Sequence, residues 1–317
     1  MNIAIIGAGL SGAVLSHHLQ SDHSVTVIEK SRGAGGRLAT RRQDNLAWDH
    51  GAPYFTARTP EFQQFLEPAR ASGSIVDWTP TISTLHRHQK SYKRLWFEPH
   101  LIGQPNMKAW LNDLINPNLL LTETEVLGIT GAAGNWFLTT NNSLQGPFDW
   151  VLSTAPAPQS EGILAPFLPE LGVTYAPGLT LLATTTHHRA KWQMAICNDP
   201  IVDQIILMSS RFGRLPGNPV VIHTQRDWAK AHLEQPLDQS KSQIEQAVKS
   251  LDDLEITQGI LHRWRYAKVE QPAAIPFWIE PDLQLGACGD WFGLEGAESA
   301  FTSTSRLLIA LEEHLMH

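Results

Sequence analysis

The chain has 317 residues, 42% hydrophobic and 17% charged, with a formal net charge of −7 and a mean hydropathy of −0.18. These values describe a globular chain long enough to bury a substantial core, and the acidic balance speaks against general binding to nucleic acid or to a membrane surface. No run reaches the roughly eighteen apolar residues that span a bilayer, and Cys197 and Cys288 make neither a CxxC pair nor a metal-ligand spacing, which argues against a disulfide framework and for a reducing, cytoplasmic setting.

Ile3 to Ile6 forms a short apolar run suited to a buried strand. It leads into Gly7-Ala8-Gly9-Leu10-Ser11-Gly12, then a helical pattern to about Gln20, then the β-rich Ser24 to Ile28 ending at Glu29. Strand, glycine turn, helix and strand within thirty residues predict a parallel βαβ unit, and the apolar start followed at once by glycines reads as mature structure rather than a signal peptide. Further on, Glu61 to Ala71 and Met107 to Ile115 read as helices, and Asp77 to Trp96 holds strand-like alternation. Leu119 to Leu121, Glu125 to Ile129, Trp136 to Thr140 and Trp150 to Ser153 read as short strands, with turns at Asn141-Asn142-Ser143 and Gly146-Pro147. Ala155-Pro156-Ala157-Pro158 is expected to stop regular structure. Residues 160–275 mix strand runs (178–186, 201–209, 219–224) with one helix near 237–251. Leu283 to Asp290 reads as a strand ending in a turn, and Glu298 to His314 as a last helix.

Gly7-x-Gly9-x-x-Gly12 is weak alone, but it stands after a strand and before a helix, the context a dinucleotide needs. The glycines permit the tight turn and the approach of a diphosphate, and the helix N-terminus offers it free N–H groups. Glu29, 22 residues after Gly7, can accept hydrogen bonds from both hydroxyls of an adenosine ribose. The bland alternative is a helix–strand turn with a surface glutamate. The second glycine run, Gly33-Ala34-Gly35-Gly36 with Arg37, adds N–H groups and a cation near the same diphosphate. Arg32, Arg41 and Arg42 read as surface charge.

The stretch from Glu29 to Arg37 resembles the E-x5-G-G-R motif of the flavin amine oxidase superfamily. Gly286-Ala287-Cys288-Gly289-Asp290 with Gly293 to Ala300 resembles its C-terminal flavin motif, and Asp49 to Phe55 resembles its D-x-G-A-x-x-F loop. Within that superfamily, the segments 1–58 and 283–305 are similar to renalase and its bacterial relatives. The resemblance implies non-covalent FAD held by Gly7, Gly9, Ser11, Gly12, Glu29, Lys30, Gly36, Arg37, Gly51, Ala52, Val126, Thr154, Gly289, Asp290, Gly296 and Ala297, with Asp290 on the ribitol chain and the last helix pointing at the flavin ring. It implies hydride transfer from 2- or 6-dihydro isomers of NAD(P)H to flavin N5, with O2 reoxidising the flavin to give H2O2. An amine or amino-acid oxidase on the same scaffold is the alternative, and a non-catalytic flavin-binding protein is the rival from another class.

The fold expected is α/β. A discontinuous Rossmann-like FAD domain (1–58, 101–157, 280–317) carries an inserted, mainly β substrate domain (59–100, 158–279). His262 to Ala267 is expected as a strand entering the flavin site, with Trp264 and Tyr266 to sandwich a flat ring and Arg263 and Arg265 to meet phosphates; the alternative is an alternating strand with exposed arginines. No metal constellation is expected from His17, His18, His86, His88, His187 and His188, no residue is required as a base, and both thiols read as structural.

Overall fold

The computed structural model describes all residues except 88, 187–189, 212–217, 253 and 316–317. Among the described residues, one six-stranded sheet runs in the order Trp278–Glu280, Leu285–Ala287, Trp150–Ser153, Asn2–Ile6, Ser24–Ile28, Leu120–Leu121. Its strands pair in parallel except the antiparallel edge at Trp278–Glu280. Asn2–Ile6 lies at its centre because four of its five residues are buried, so it reads as a continuous apolar run rather than an alternation. Helices Leu10–Leu19 and Ala297–Leu315 pack against each other, and Ser11 Oγ donates to the Ala300 carbonyl at 3.2 Å.

A second sheet has seven strands, in the order Ile256–Gln271, Thr174–Thr185, Pro219–Thr224, Val202–Leu207, Met194–Asn198, Ile82–His86, Tyr92–Arg94. It is antiparallel except where Met194–Asn198 pairs in parallel with Ile82–His86. Helix Leu237–Leu251 covers one face of this sheet through Ile244, Ala247, Val248 and Leu251. A three-stranded meander, Val126–Ala132, Asn135–Thr140 and Leu144–Phe148, packs beside the first sheet.

The α/β class with a Rossmann-like unit is as the sequence implies. Local expectations fail at five places. Ala155-Pro156-Ala157-Pro158 begins the helix Ala157–Ile163 instead of ending structure, because a first turn needs no N–H from its prolines. Leu144–Phe148 is a strand despite Gly146-Pro147; it is the meander's outer strand, where a missing N–H costs no ladder bond. The helix expected over 107–115 shrinks to a 3-10 turn, Ala109–Asp113, held by bonds such as Leu111 N–H to the Lys108 carbonyl at 3.0 Å. A second helix, Arg226–His232, and the strand Met194–Asn198 stand where none was expected.

Candidate active site

The first strand ends at Gly7, and Gly12 begins its helix so close by that a Cβ on Gly12 would lie 1.9 Å from the Gly7 carbonyl oxygen. The second glycine turn folds onto the first. Gly35 N–H donates to the Ala8 carbonyl at 2.8 Å, and Gly36, at φ +51°, would put a Cβ 3.2 Å from Gly9 Cα. Thr154 closes the third side, its Oγ1 donating to the Ile6 and Gly7 carbonyls at 2.9 and 3.1 Å.

Glu29 is buried, and its carboxylate accepts the N–H of Ala8 at 2.9 Å and of Ser31 at 2.8 Å. Those bonds fix the side chain and leave lone pairs free for hydroxyls. Beside it run residues 123–126, with Thr124 N–H on the Glu29 carbonyl at 3.0 Å; Val126 is buried among the strands that carry the turn. Lys30 is exposed. Lys108, which the sequence reading missed, reaches Gly33 and Gly35. Burial pushes its pKa down, Arg42 adds to that, and Glu29 opposes it.

Arg37 bridges the two ends of the chain. Its Nη2 lies 2.5 Å from Asp290 Oδ1, and its Nη1 donates to the Tyr266 carbonyl at 3.4 Å. Burial works against its charge, but the Asp290 carboxylate outweighs burial and holds the guanidinium pKa above its usual value. Asp290 follows Gly289, whose N–H donates to Ser303 Oγ at 3.3 Å, and Gly296 and Ala297 begin the last helix. Tyr175, also missed, stands by this pair; burial raises its pKa, and Asp290 adds to the effect.

Gly51 and Ala52 pack on the Arg37 turn, with Ala52 N–H on the Arg37 carbonyl at 2.8 Å. Their loop is anchored by two side chains, Trp48 and Asp49, the latter the first residue of the D-x-G-A-x-x-F stretch. Trp48 Nε1 donates to the Ala183 carbonyl at 2.8 Å, and the fully buried Asp49 accepts Thr40 Oγ1 at 2.6 Å and Met107 N–H at 3.2 Å.

The strand Ile256–Gln271 then presents two faces. Trp264 donates its indole N–H to the His50 carbonyl at 3.1 Å and stacks on the His50 ring at 5.1 Å, while His262 meets both rings edge-on at 4.7 and 4.4 Å. The Tyr266 ring meets Tyr175 at 5.2 Å. Arg263 and Arg265 belong to the other face: Arg263 donates to the Gln235 carbonyl at 3.1 Å, and Arg265 forms an exposed ion pair with Glu234. The two-residue period of a strand separates the aromatics from the arginines, so these four residues do not share one pocket.

His50 thus joins His262 and His223, whose Nδ1 lies 3.2 Å from Thr180 Oγ1, in an imidazole-rich wall. Burial pushes His50 and His223 down to about 4, each with a further push from a neighbouring imidazole, and lowers His262 as well. At neutral pH the wall is uncharged. A histidine in WDHGAP gave no periodic signal; only its fold partners reveal it. Of the other histidines weighed, His17 and His18 lie against Phe65 and His86 beside Asn198, and His88, His187 and His188 lie outside the described residues. Cys197 and Cys288 are free and buried.

Residues 5–69 match the family described as NAD(P)-binding Rossmann-like domain. A stretch of 66 residues is 38% identical to protoporphyrinogen oxidase 2 of Arabidopsis thaliana, covering 20% of this chain and only 13% of that one. The whole chain superposes on cyclohexylamine oxidase from Brevibacterium oxydans IH-35A with a TM-score of 0.73 at 10% identity, covering 100% and 99% of the two chains. This is the amine-oxidase fold. The same architecture covers 97% of this chain in a fatty acid isomerase from P. acnes, with a TM-score of 0.72 at 11% identity, so the fold by itself does not fix the reaction.

The residues present fit a flavin dinucleotide. Two glycine turns in contact leave backbone where side chains would otherwise stand, Glu29 is held with free lone pairs, and Arg37 and Asp290 offer opposite charges between the turns and the last helix. Among the described residues, no helix is long and apolar enough to cross a membrane.

Proposed function

We propose that this chain is an FAD-dependent oxidoreductase that takes hydride from a carbon of a small reduced donor and passes the electrons to O2. The observation that supports this reading is the meeting of Arg37, from the second glycine turn, with Asp290, from the far end of the chain. When bound, the flavin supplies the hydride acceptor. The protein's part is binding and charge placement. Gly7, Gly9, Gly12, Gly36 and Thr154 would cradle the diphosphate, Glu29 the adenosine ribose, and Asp290 and Arg37 the ribitol and phosphate. Gly51, Ala52 and the wall of His50, His262 and Trp264 would border the ring. In this reading the six-stranded sheet would belong to the domain that holds the cofactor and the seven-stranded sheet to the one that covers it.

The donor we favour is a 2- or 6-dihydro isomer of NAD(P)H, from the likeness of the terminal motifs to renalase. A donor of this kind becomes a cationic pyridinium as hydride leaves, and neutral imidazoles do not oppose that charge. A second reading has its own observation. The rings of His50, His262 and Trp264 are themselves uncharged at neutral pH, which suits a neutral amine as well, since an amine also becomes a cation. The solved cyclohexylamine oxidase with the same fold points the same way. Anaerobic stopped-flow of the purified yellow protein with the dihydro isomers beside a panel of amines separates the two. Flavin bleaching by the isomers alone supports the first reading; bleaching by amines with the isomers inert replaces it with the second; no bleaching by any donor leaves a flavin-binding protein without turnover.

A further inference from the structure

A cavity of about 1070 Å³ opens beside the flavin-side loop. Its inner end is aromatic: Trp78 and His100 are buried, with Tyr54 4.0 Å and Trp96 5.3 Å from the His100 ring. Thr56 and Ala57, which line the cavity, follow directly on the loop that carries His50, Ala52 and Tyr54. The outer end is formed by the edge strand Tyr92–Arg94 and the residues after it, where Trp96 is 36% and Phe97 90% exposed. Rings so exposed beside a concave surface cost solubility unless a ligand covers them, and so mark a binding site.

The charges differ in their commitments. Arg58 pairs with Glu98 and Glu295, and Arg70 with Asp77. Glu67 also lines the cavity. Lys93 and Arg94 meet no carboxylate among the described residues, and the Arg94 guanidinium lies 5.6 Å over the Trp96 ring. Two cations without anions beside two open aromatic rings suit a planar ring that carries phosphate. Trp78 Nε1 and His100 Nε2 are buried without hydrogen-bond partners among the described residues, so polar capacity at the inner end is also unspent.

We propose that this cavity holds the phosphate-bearing aromatic part of the donor, its ring against Trp96 and Phe97 and its phosphates on Lys93 and Arg94. This rests on the dinucleotide reading above and replaces Arg263 and Arg265 as the anion-recognising pair. A dinucleotide whose reactive ring meets the Trp264 wall has its adenosine diphosphate left to place, and this cavity adjoins the same loop.

The test is calorimetric titration of the FAD-loaded protein with ADP-ribose and with adenosine. ADP-ribose should bind, and adenosine about tenfold or more weakly, as expected for lost charge-assisted contacts. Lys93→Ala/Arg94→Ala should weaken ADP-ribose about ten- to a hundredfold. Both residues are exposed, so the fold should survive. Trp96→Ala should weaken both ligands, and Lys90→Ala, an exposed cation outside the lining, should change nothing. Unchanged ADP-ribose affinity in the double variant, or no binding to the parent protein, overturns the proposal. Reduction by a dihydronicotinamide riboside isomer, which lacks the ADP part, reports on the reaction separately. Reduction with no Lys93- and Arg94-dependent ADP-ribose binding sinks this inference alone. Such binding with every isomer inert sinks the donor reading and leaves the nucleotide site.

Discussion

Arg37 and Asp290 lie 253 residues apart in sequence and 2.5 Å apart in space, Nη2 to Oδ1. Each stands in its own glycine-containing turn, and the pair is partly exposed. Asp290→Ala should therefore weaken FAD binding about ten- to a hundredfold, the equivalent of a lost hydrogen bond to a charged group at roughly 1.5–3 kcal/mol. Fluorescence titration of the stripped protein with FAD measures it, and an unchanged dissociation constant would remove Asp290 from the cofactor site.

Glu29→Gln should lower both FAD affinity and thermal stability. The carboxylate accepts two backbone N–H groups from opposite sides, Ala8 and Ser31. An amide has only one oxygen for them and turns a donor toward the other. Thermal scans with and without excess FAD separate the two losses. A variant with normal stability and weak FAD binding would place Glu29 on the ribose alone.

Gly12→Ala should be among the most damaging single changes, because its Cβ would stand 1.9 Å from the Gly7 carbonyl oxygen, a backbone atom that cannot step aside. Gly162→Ala is the contrast. Gly162 lies in the helix Ala157–Ile163 with nothing within 4 Å, and alanine there should add about 0.5–1 kcal/mol. Urea unfolding of both variants checks the pair; equal effects would contradict the close approach of helix and strand.

Acid should destabilise the protein through its buried histidines. His50, His100 and His223 are each held near 4, mainly by burial, against 6.5 in an unfolded chain. Below 6.5 the unfolded state takes protons that the native state refuses. Stability from this source is thus full above pH 6.5 and falls as pH drops toward 4, by at most about 1.4 kcal/mol per pH unit for each such ring. Urea midpoints between pH 8 and 4.5 measure it. The rate of flavin reduction at saturating donor should likewise be level near neutrality and decline toward pH 4, where a charged His50 opposes the cation forming on the donor. A stability curve flat through that window would mean the rings are already protonated or open to water.

Arg265→Ala should leave donor affinity within about twofold, since its exposed ion pair is screened by solvent and faces Glu234 rather than the Trp264 wall. Trp264→Phe keeps a ring but loses the N–H bond to the His50 carbonyl. It should slow flavin reduction while leaving FAD content unchanged. The reverse result, a large loss with Arg265→Ala and none with Trp264→Phe, would restore the arginines to the donor site.

What the sequence by itself determined are the features that depend on neighbours along the chain. The βαβ unit from Asn2 to Ile28 was legible because strand, glycine turn and helix are each local. The helix Leu237–Leu251 was legible because its apolar residues recur at helical spacing. The face a side chain takes on a strand is also local, and His262 to Tyr266 alternate as any strand must; what lies beyond each face is not. Only the tertiary structure decided that Trp264 meets His50 while Arg265 meets Glu234, that Ile82–His86 pairs in parallel with the distant strand Met194–Asn198, and that Lys93 and Arg94 meet no carboxylate among the described residues at the mouth of an aromatic cavity. Those pairings are made by burial and hydrogen bonding between segments far apart in sequence, and no periodicity along the chain carries their partners' names.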